Sequence, residues 1–141
     1  MKFKSLFLAF FLVYGITSCD KANKSSTASG SQESGTASSA LITAKELNAK
    51  NKDIVLIDVR TPNEFNSGHI ENAVNIDIYS DEFKQKLSRL DKNTAVYVYC
   101  KKGGRSAKAT RTMIDMGFQE VYDLDGGMRS WEKQNLKVVS E

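Results

Sequence analysis

Along the last hundred residues, short and nearly continuous apolar runs alternate with stretches that are apolar on one side only. Ile54 to Val59 (IVLIDV), Ala73 to Ile76 (AVNI), Ala95 to Cys100 (AVYVYC) and Val121 to Leu124 (VYDL) have strand length. Their continuity is that of strands covered on both faces. Between and around them, Thr43 to about Lys50, Asp81 to Leu90, Ser106 to Met116 and Met128 to about Asn135 read as helices. In the third, Ala109, Met113 and Met116 fall on one face while Lys108, Arg111 and Asp115 fall on another, and Gly117 supplies a C-terminal stop. Strands separated by helices predict an α/β domain whose sheet is mainly parallel, with right-handed crossovers.

The first forty residues break this rhythm. MKFKSLFLAFFLVYGITSC opens with two lysines, continues with an apolar stretch from Leu6 to about Ile16, and ends in small residues before Cys19. That stretch is shorter than the ~20 residues a spanning helix needs, so the layout is that of a signal peptide over residues 1–18. Ile16-Thr17-Ser18-Cys19 resembles the bacterial lipobox, in which the cysteine is acylated and becomes the new N-terminus. Two or three acyl chains hold a protein stably, each buried methylene adding ~0.8 kcal/mol. The expectation is a domain anchored to a membrane of the bacterial envelope through Cys19, outside the cytoplasm on the periplasmic or surface side. Residues 19–40 are almost entirely Ser, Thr, Ala, Gly and charge, and read as a flexible tether with a reach of ~25 Å. The folded domain is expected over 41–141.

Composition narrows the partners. The chain carries 20 basic and 17 acidic residues, a formal net charge of +3, and without Lys2 and Lys4 the balance is about +1 (18 against 17). Nothing global favours nucleic acid, so any electrostatic recognition must be local. A hydrophobic fraction of 40% supports a compact core, and no internal repeat is present.

Cys100 ends an apolar run and is followed by Lys101, Lys102, Gly103, Gly104, Arg105 and Ser106. In open α/β sheets, ligands collect at the carboxyl ends of strands, where helix N-termini point. A strand-to-helix loop can aim successive backbone N–H groups at one point and so bind an anion. Gly103 and Gly104 would supply the positive φ values such a loop needs. The helix N-terminus, with Lys101, Lys102, Arg105, Lys108 and Arg111 and no acid before Asp115, would stabilise a thiolate and lower the pKa of Cys100. With Cys19 acylated, Cys100 has no disulfide partner within the chain.

The loop CKKGGRS resembles the active-site loop of the rhodanese (thiosulfate:cyanide sulfurtransferase) domain. The resemblance continues in Asp58-Val59-Arg60-Thr61-Pro62-Asn63-Glu64-Phe65, Gly68-His69-Ile70, Ala73-Val74-Asn75-Ile76, Met116-Gly117-Phe118 and Leu124-Asp125-Gly126-Gly127-Met128-Arg129-Ser130-Trp131. Asn72 stands where the family often has glycine, and asparagine tolerates the left-handed conformation. The resemblance implies an α/β rhodanese-like fold, with a mainly parallel sheet of about five strands and helices on both faces. It further implies that Cys100 takes a sulfane sulfur from an anionic donor such as thiosulfate, becomes a persulfide, and passes the sulfur to cyanide, a thiol or a protein acceptor. The amides of the loop and Arg105 would stabilise the persulfide anion, Lys101 and Lys102 would favour anionic donors, and no cofactor is implied. Related phosphatases on this fold carry C-x5-R, whereas Cys100 to Arg105 is C-x4-R, which favours sulfur over phosphate. A sulfur-carrier or redox-sensing module, and an arsenate reductase or phosphatase, are the competing readings.

The remaining polar residues read mainly as structure. His69, the only histidine, falls in a packing turn, and one histidine with one cysteine provides no metal site. Asp58 is placed to support the loop or Arg60, and Arg60 is expected to pair with Glu64 in a local ion pair. Trp131 is expected in the core.

Overall fold

The computed structural model describes residues 37–50 and 53–140. The signal segment, Cys19 and nearly all of the proposed tether lie outside the described residues. No described helix is long and apolar enough to cross a membrane.

The elements follow in the order β1 (Ser38–Ile42), α1 (Ala44–Asn48), β2 (Val55–Asp58), α2 (Pro62–Ser67), β3 (His69–Ile70), β4 (Val74–Asn75), α3 (Phe83–Leu87), β5 (Val96–Tyr99), α4 (Gly104–Asp115), β6 (Glu120–Leu124), α5 (Gly127–Lys133) and β7 (Val138–Val139). Five strands form one parallel sheet in the order β1-β6-β5-β2-β4, and β3 pairs antiparallel with β7 beside it. The architecture is the expected α/β one, with five parallel strands and helices on both faces.

The continuous apolar runs have the anticipated cause. On one face Ile57, Val59, Val96, Val98 and Cys100 pack with Phe83 and Leu87 of α3 and Ala109 and Met113 of α4. On the other, Leu56, Tyr97 and Tyr99 pack with Ala44 and Leu47 of α1 and Met128 and Trp131 of α5. Side chains alternate between the faces, and both faces are apolar, so no polar alternation appears in the sequence.

Four elements lie outside the sequence-based expectation: β1, α2, and the short strands β3 and β7, which pair where His69 was expected in a turn. Strand β1 begins at Ser38, three residues before Leu41, inside the segment read as tether. Its first four residues are exposed and it forms the sheet edge against β6, so its pairing is carried by backbone rather than by buried side chains. Helix α2 occupies six residues between Thr61 and Gly68, too few for a helical period to show. Thr61 caps it: its hydroxyl accepts from the Glu64 amide while the Glu64 carboxylate accepts from the Thr61 amide.

Candidate active site

Strand β5 ends at Tyr99, and the next residue, Cys100, lies at the carboxyl edge of the sheet, at the end of its central strand. Only 2% of it is exposed, and it belongs to the core on the α4 face. The chain then turns back through Gly103, whose φ of +102° puts it in the left-handed region, and enters α4. Gly104 is already the first residue of that helix and has no positive φ, so Gly103 alone provides the turn.

This path points the loop's donors at sulfur. The Gly103 amide donates to Cys100 Sγ at 3.1 Å, and the Ser106 hydroxyl lies 3.6 Å from it. Burial works against ionisation of the thiol, but the Ser106 hydroxyl and the amides of Ser106, Lys102 and Gly103 outweigh it, so Cys100 titrates below the ordinary thiol value. The cradle of backbone donors is the feature expected from the sequence. Ser106 adds a donor that the expected set of loop amides and Arg105 does not contain: in the first turn of α4 it faces back toward the preceding loop.

The loop carbonyls point the opposite way. Met128 N donates to Cys100 O at 2.8 Å and Arg129 N to Lys101 O at 3.1 Å, so the amino end of α5 binds the outer side of the loop. Because each peptide carries N–H and C=O on opposite sides, fixing the carbonyls outward helps hold the amides inward. Gly127 makes the approach possible: its φ is +57°, and a Cβ there would lie 2.3 Å from Cys100 O.

The basic run is less uniform than its sequence implies. Lys101, Lys102, Lys108 and Arg111 are exposed. Arg105 is not an isolated cation: its Nη1 and Nη2 donate to the two Glu64 carboxylate oxygens at 2.6 and 2.7 Å. Arg105 still lies within electrostatic range of Cys100 and Tyr79, and its pKa is raised, first by the Glu64 hydrogen bonds. Glu64 is therefore the partner of Arg105 and not of Arg60, a correction to the expected local pair, because α2 carries the carboxylate across to α4.

The same hydrogen bonds to Arg105, helped by Thr61 and opposed by partial burial, lower the Glu64 pKa from 4.5 to about 2. A folded-state value below the unfolded one means stability is present above pH 4.5 and lost as pH falls toward 2. The two side chains are 22% and 27% exposed, so screening reduces the contribution to about 1–2 kcal/mol. Glu64→Gln is expected to lose that amount at neutral pH and to flatten this part of the acid-unfolding curve, as measured by urea titration at several pH values.

Asp58 and Arg60 are brought together below the loop rather than in it. Arg60 Nη2 donates to Asp58 Oδ2 at 2.6 Å and to Gly68 O at 2.7 Å, and Arg60 Nε also binds the carboxylate. They are 0% and 4% exposed respectively, and Arg60 lies over the Tyr99 ring. The Tyr99 hydroxyl accepts from Ile70 N at 3.1 Å. Together these contacts tie the end of β2 to α2, β3 and β5. His69 is buried, stacked on Phe65 with ring centroids 3.7 Å apart, and its Nδ1 lies 3.0 Å from Phe65 O. Trp131 is buried and its Nε1 donates to Lys137 O.

The fold and site define an α/β domain with a parallel sheet whose central strand ends at a buried thiol, faced by a loop amide and the first turn of the following helix. The sequence model of the Rhodanese-like domain family matches residues 43–134, and the chain belongs to that family. It is 39% identical over 90 residues to YqhL of Bacillus subtilis, an uncharacterised protein, covering 64% of this chain and 70% of that one. It is 32% identical over 84 residues to the thiosulfate sulfurtransferase GlpE of Shewanella oneidensis, covering 60% of this chain and 81% of that one. Among solved structures, a rhodanese-related protein from Thermoplasma volcanium superimposes with a TM-score of 0.64 at 34% identity, covering 71% of this chain and 97% of that one.

Proposed function

We propose that the protein is a sulfurtransferase that moves a sulfane sulfur from an anionic donor such as thiosulfate, through a persulfide on Cys100, to a thiophilic acceptor. The observation that carries this reading is the convergence of loop amides and the Ser106 hydroxyl on Cys100 Sγ. Thiolate attack on the outer sulfur of thiosulfate forms the Cys100 S–S bond and releases sulfite with the electron pair of the broken bond. Attack on the persulfide by cyanide or a thiol then returns the thiolate. Donors already aimed at an anion stabilise charge without reorganising. The C-x4-R spacing, one residue shorter than that of the related phosphatases, supports sulfur over phosphate or arsenate.

Incubating residues 37–141 with thiosulfate and cyanide tests the proposal. Thiocyanate is expected, with an intact-mass gain of one sulfur atom on Cys100 when cyanide is omitted. A stable sulfur adduct that cyanide does not discharge would instead mark a carrier that serves a protein acceptor, and absence of any adduct would overturn the reading. Lys101 and Lys102 directly follow Cys100 in the chain and are exposed, whereas Arg105 is paired with Glu64. Replacing both with alanine is expected to raise KM for thiosulfate about three- to tenfold with little change in kcat. An unchanged KM would remove them from donor binding.

Cys19 acylation would hold this activity at a bacterial envelope membrane. The mass of the mature N-terminus decides that, since an uncleaved Met1 excludes it.

A further inference from the structure

Asp123 breaks the apolar run of β6, and the structure places its carboxyl behind the thiol site. In register it lies between Leu41 of β1 and Val98 of β5, neither of which can bind a proton. It is 5% exposed and its Oδ1 has no hydrogen-bond partner. From α4, Thr110, whose hydroxyl is likewise unpartnered, and Arg111 share its cleft, and the Ser106 hydroxyl acts on its carboxyl as a hydrogen-bonding neighbour. That same hydroxyl lies 3.6 Å from Cys100 Sγ and 3.0 Å from Gly103 O. On its other side Asp123 lines an open cleft of about 240 Å³ between β1 and α4, with Ser39, Leu41, Thr110 and Arg111. The cleft gives the carboxyl a route for proton exchange with water.

A hydroxyl has one hydrogen to give but can accept as well. We propose that Asp123 is a positioning residue for the thiol: its protonated carboxyl donates to Ser106 Oγ and leaves the hydroxyl hydrogen to be shared between Gly103 O and Cys100 Sγ, whereas its carboxylate draws that hydrogen away from both. The ionised form also adds a negative charge behind the thiolate, which acts in the same direction. The other charged groups around the carboxyl are Arg111 at the cleft wall and Asp125 at the end of β6. Burial, with Asp125 as a like charge, holds the Asp123 proton above the ordinary carboxylate value, while Ser106 opposes this. Thiol and carboxyl then titrate as a coupled pair.

The proposal rests on Cys100 being the reactive thiol, but alkylation reads its thiolate directly. Thiocyanate formation can therefore fail while the coupling stands, and the reverse. The experiment follows iodoacetamide alkylation of Cys100 against pH in residues 37–141, their Asp123→Asn and Ser106→Ala variants, and the double variant. The asparagine amide is a permanent donor to Ser106. Asp123→Asn is expected to alkylate about three- to tenfold faster where the wild-type carboxyl is ionised and the thiol is not fully so. In the Ser106→Ala background this gain should shrink. Superimposable wild-type and Asp123→Asn profiles would overturn the proposal, as would a gain that is undiminished without Ser106. A carboxyl 13C titration of the wild-type domain needs no variant at Asp123. Its signal should show its own inflection and a second that tracks Cys100 alkylation, and a single inflection independent of Cys100 counts against the coupling.

Discussion

Cys100→Ser is expected to lower thiocyanate formation from thiosulfate and cyanide by at least roughly a thousandfold while leaving the domain folded. The donors around position 100 stabilise an anion on sulfur; a serine hydroxyl keeps its proton near neutral pH and forms no persulfide. The substitution exchanges one small side chain for another in a position already faced by the Gly103 amide and the Ser106 hydroxyl. Its cost to stability should therefore be small beside its cost to activity. Thiocyanate assay and thermal unfolding on the same sample check both halves, and residual turnover within tenfold of wild type would remove Cys100 from the reaction.

Gly127→Ala is expected to damage site and stability together. The new Cβ would meet Cys100 O at 2.3 Å, Lys101 C at 2.9 Å and Cys100 C at 3.0 Å, all backbone atoms that cannot swing aside. The residue would also have to hold a φ of +57° with a side chain. Left-handed backbone and overpacking together amount to about 2–5 kcal/mol. Relief requires α5 to withdraw, which breaks the bonds from Met128 N and Arg129 N to the loop carbonyls. Urea unfolding should show the loss of stability. Alkylation of Cys100 should slow at neutral pH as its amides lose their fixed direction, and an unchanged alkylation rate would show that α5 does not hold the loop.

The sheet, its two-sided burial and the strand-end thiol were legible because each depends on a pattern local in sequence: an apolar run, a helix period, a Gly-Gly turn. What escaped depends on contacts across the fold. Glu64 is three residues from Thr61, and the Thr-Pro-Asn-Glu capping pattern could have revealed α2, but nothing in the sequence shows that α2 brings Glu64 to Arg105. Arg60 goes to Asp58 instead because the turn after β2 folds its side chain back onto a buried carboxylate. Ser106 and Asp123 share a site only because α4 packs over β6. Strand β1 was missed for the opposite reason: its exposed serines and alanine carry no hydrophobic signal, and only its pairing to β6 makes it a strand.

That edge strand has a consequence for orientation. It runs parallel to β6, which runs parallel to β5, and Ser38 stands in register with Glu120 at the start of its neighbour. Cys100 follows the last residue of β5, so the chain joins the sheet at one rim and presents its thiol at the other, about 15 Å away at ordinary strand rise. Ser38 and Cys100 therefore mark opposite rims of one sheet, and a probe placed at the first residue of β1 reports on the domain without touching the loop around the thiol.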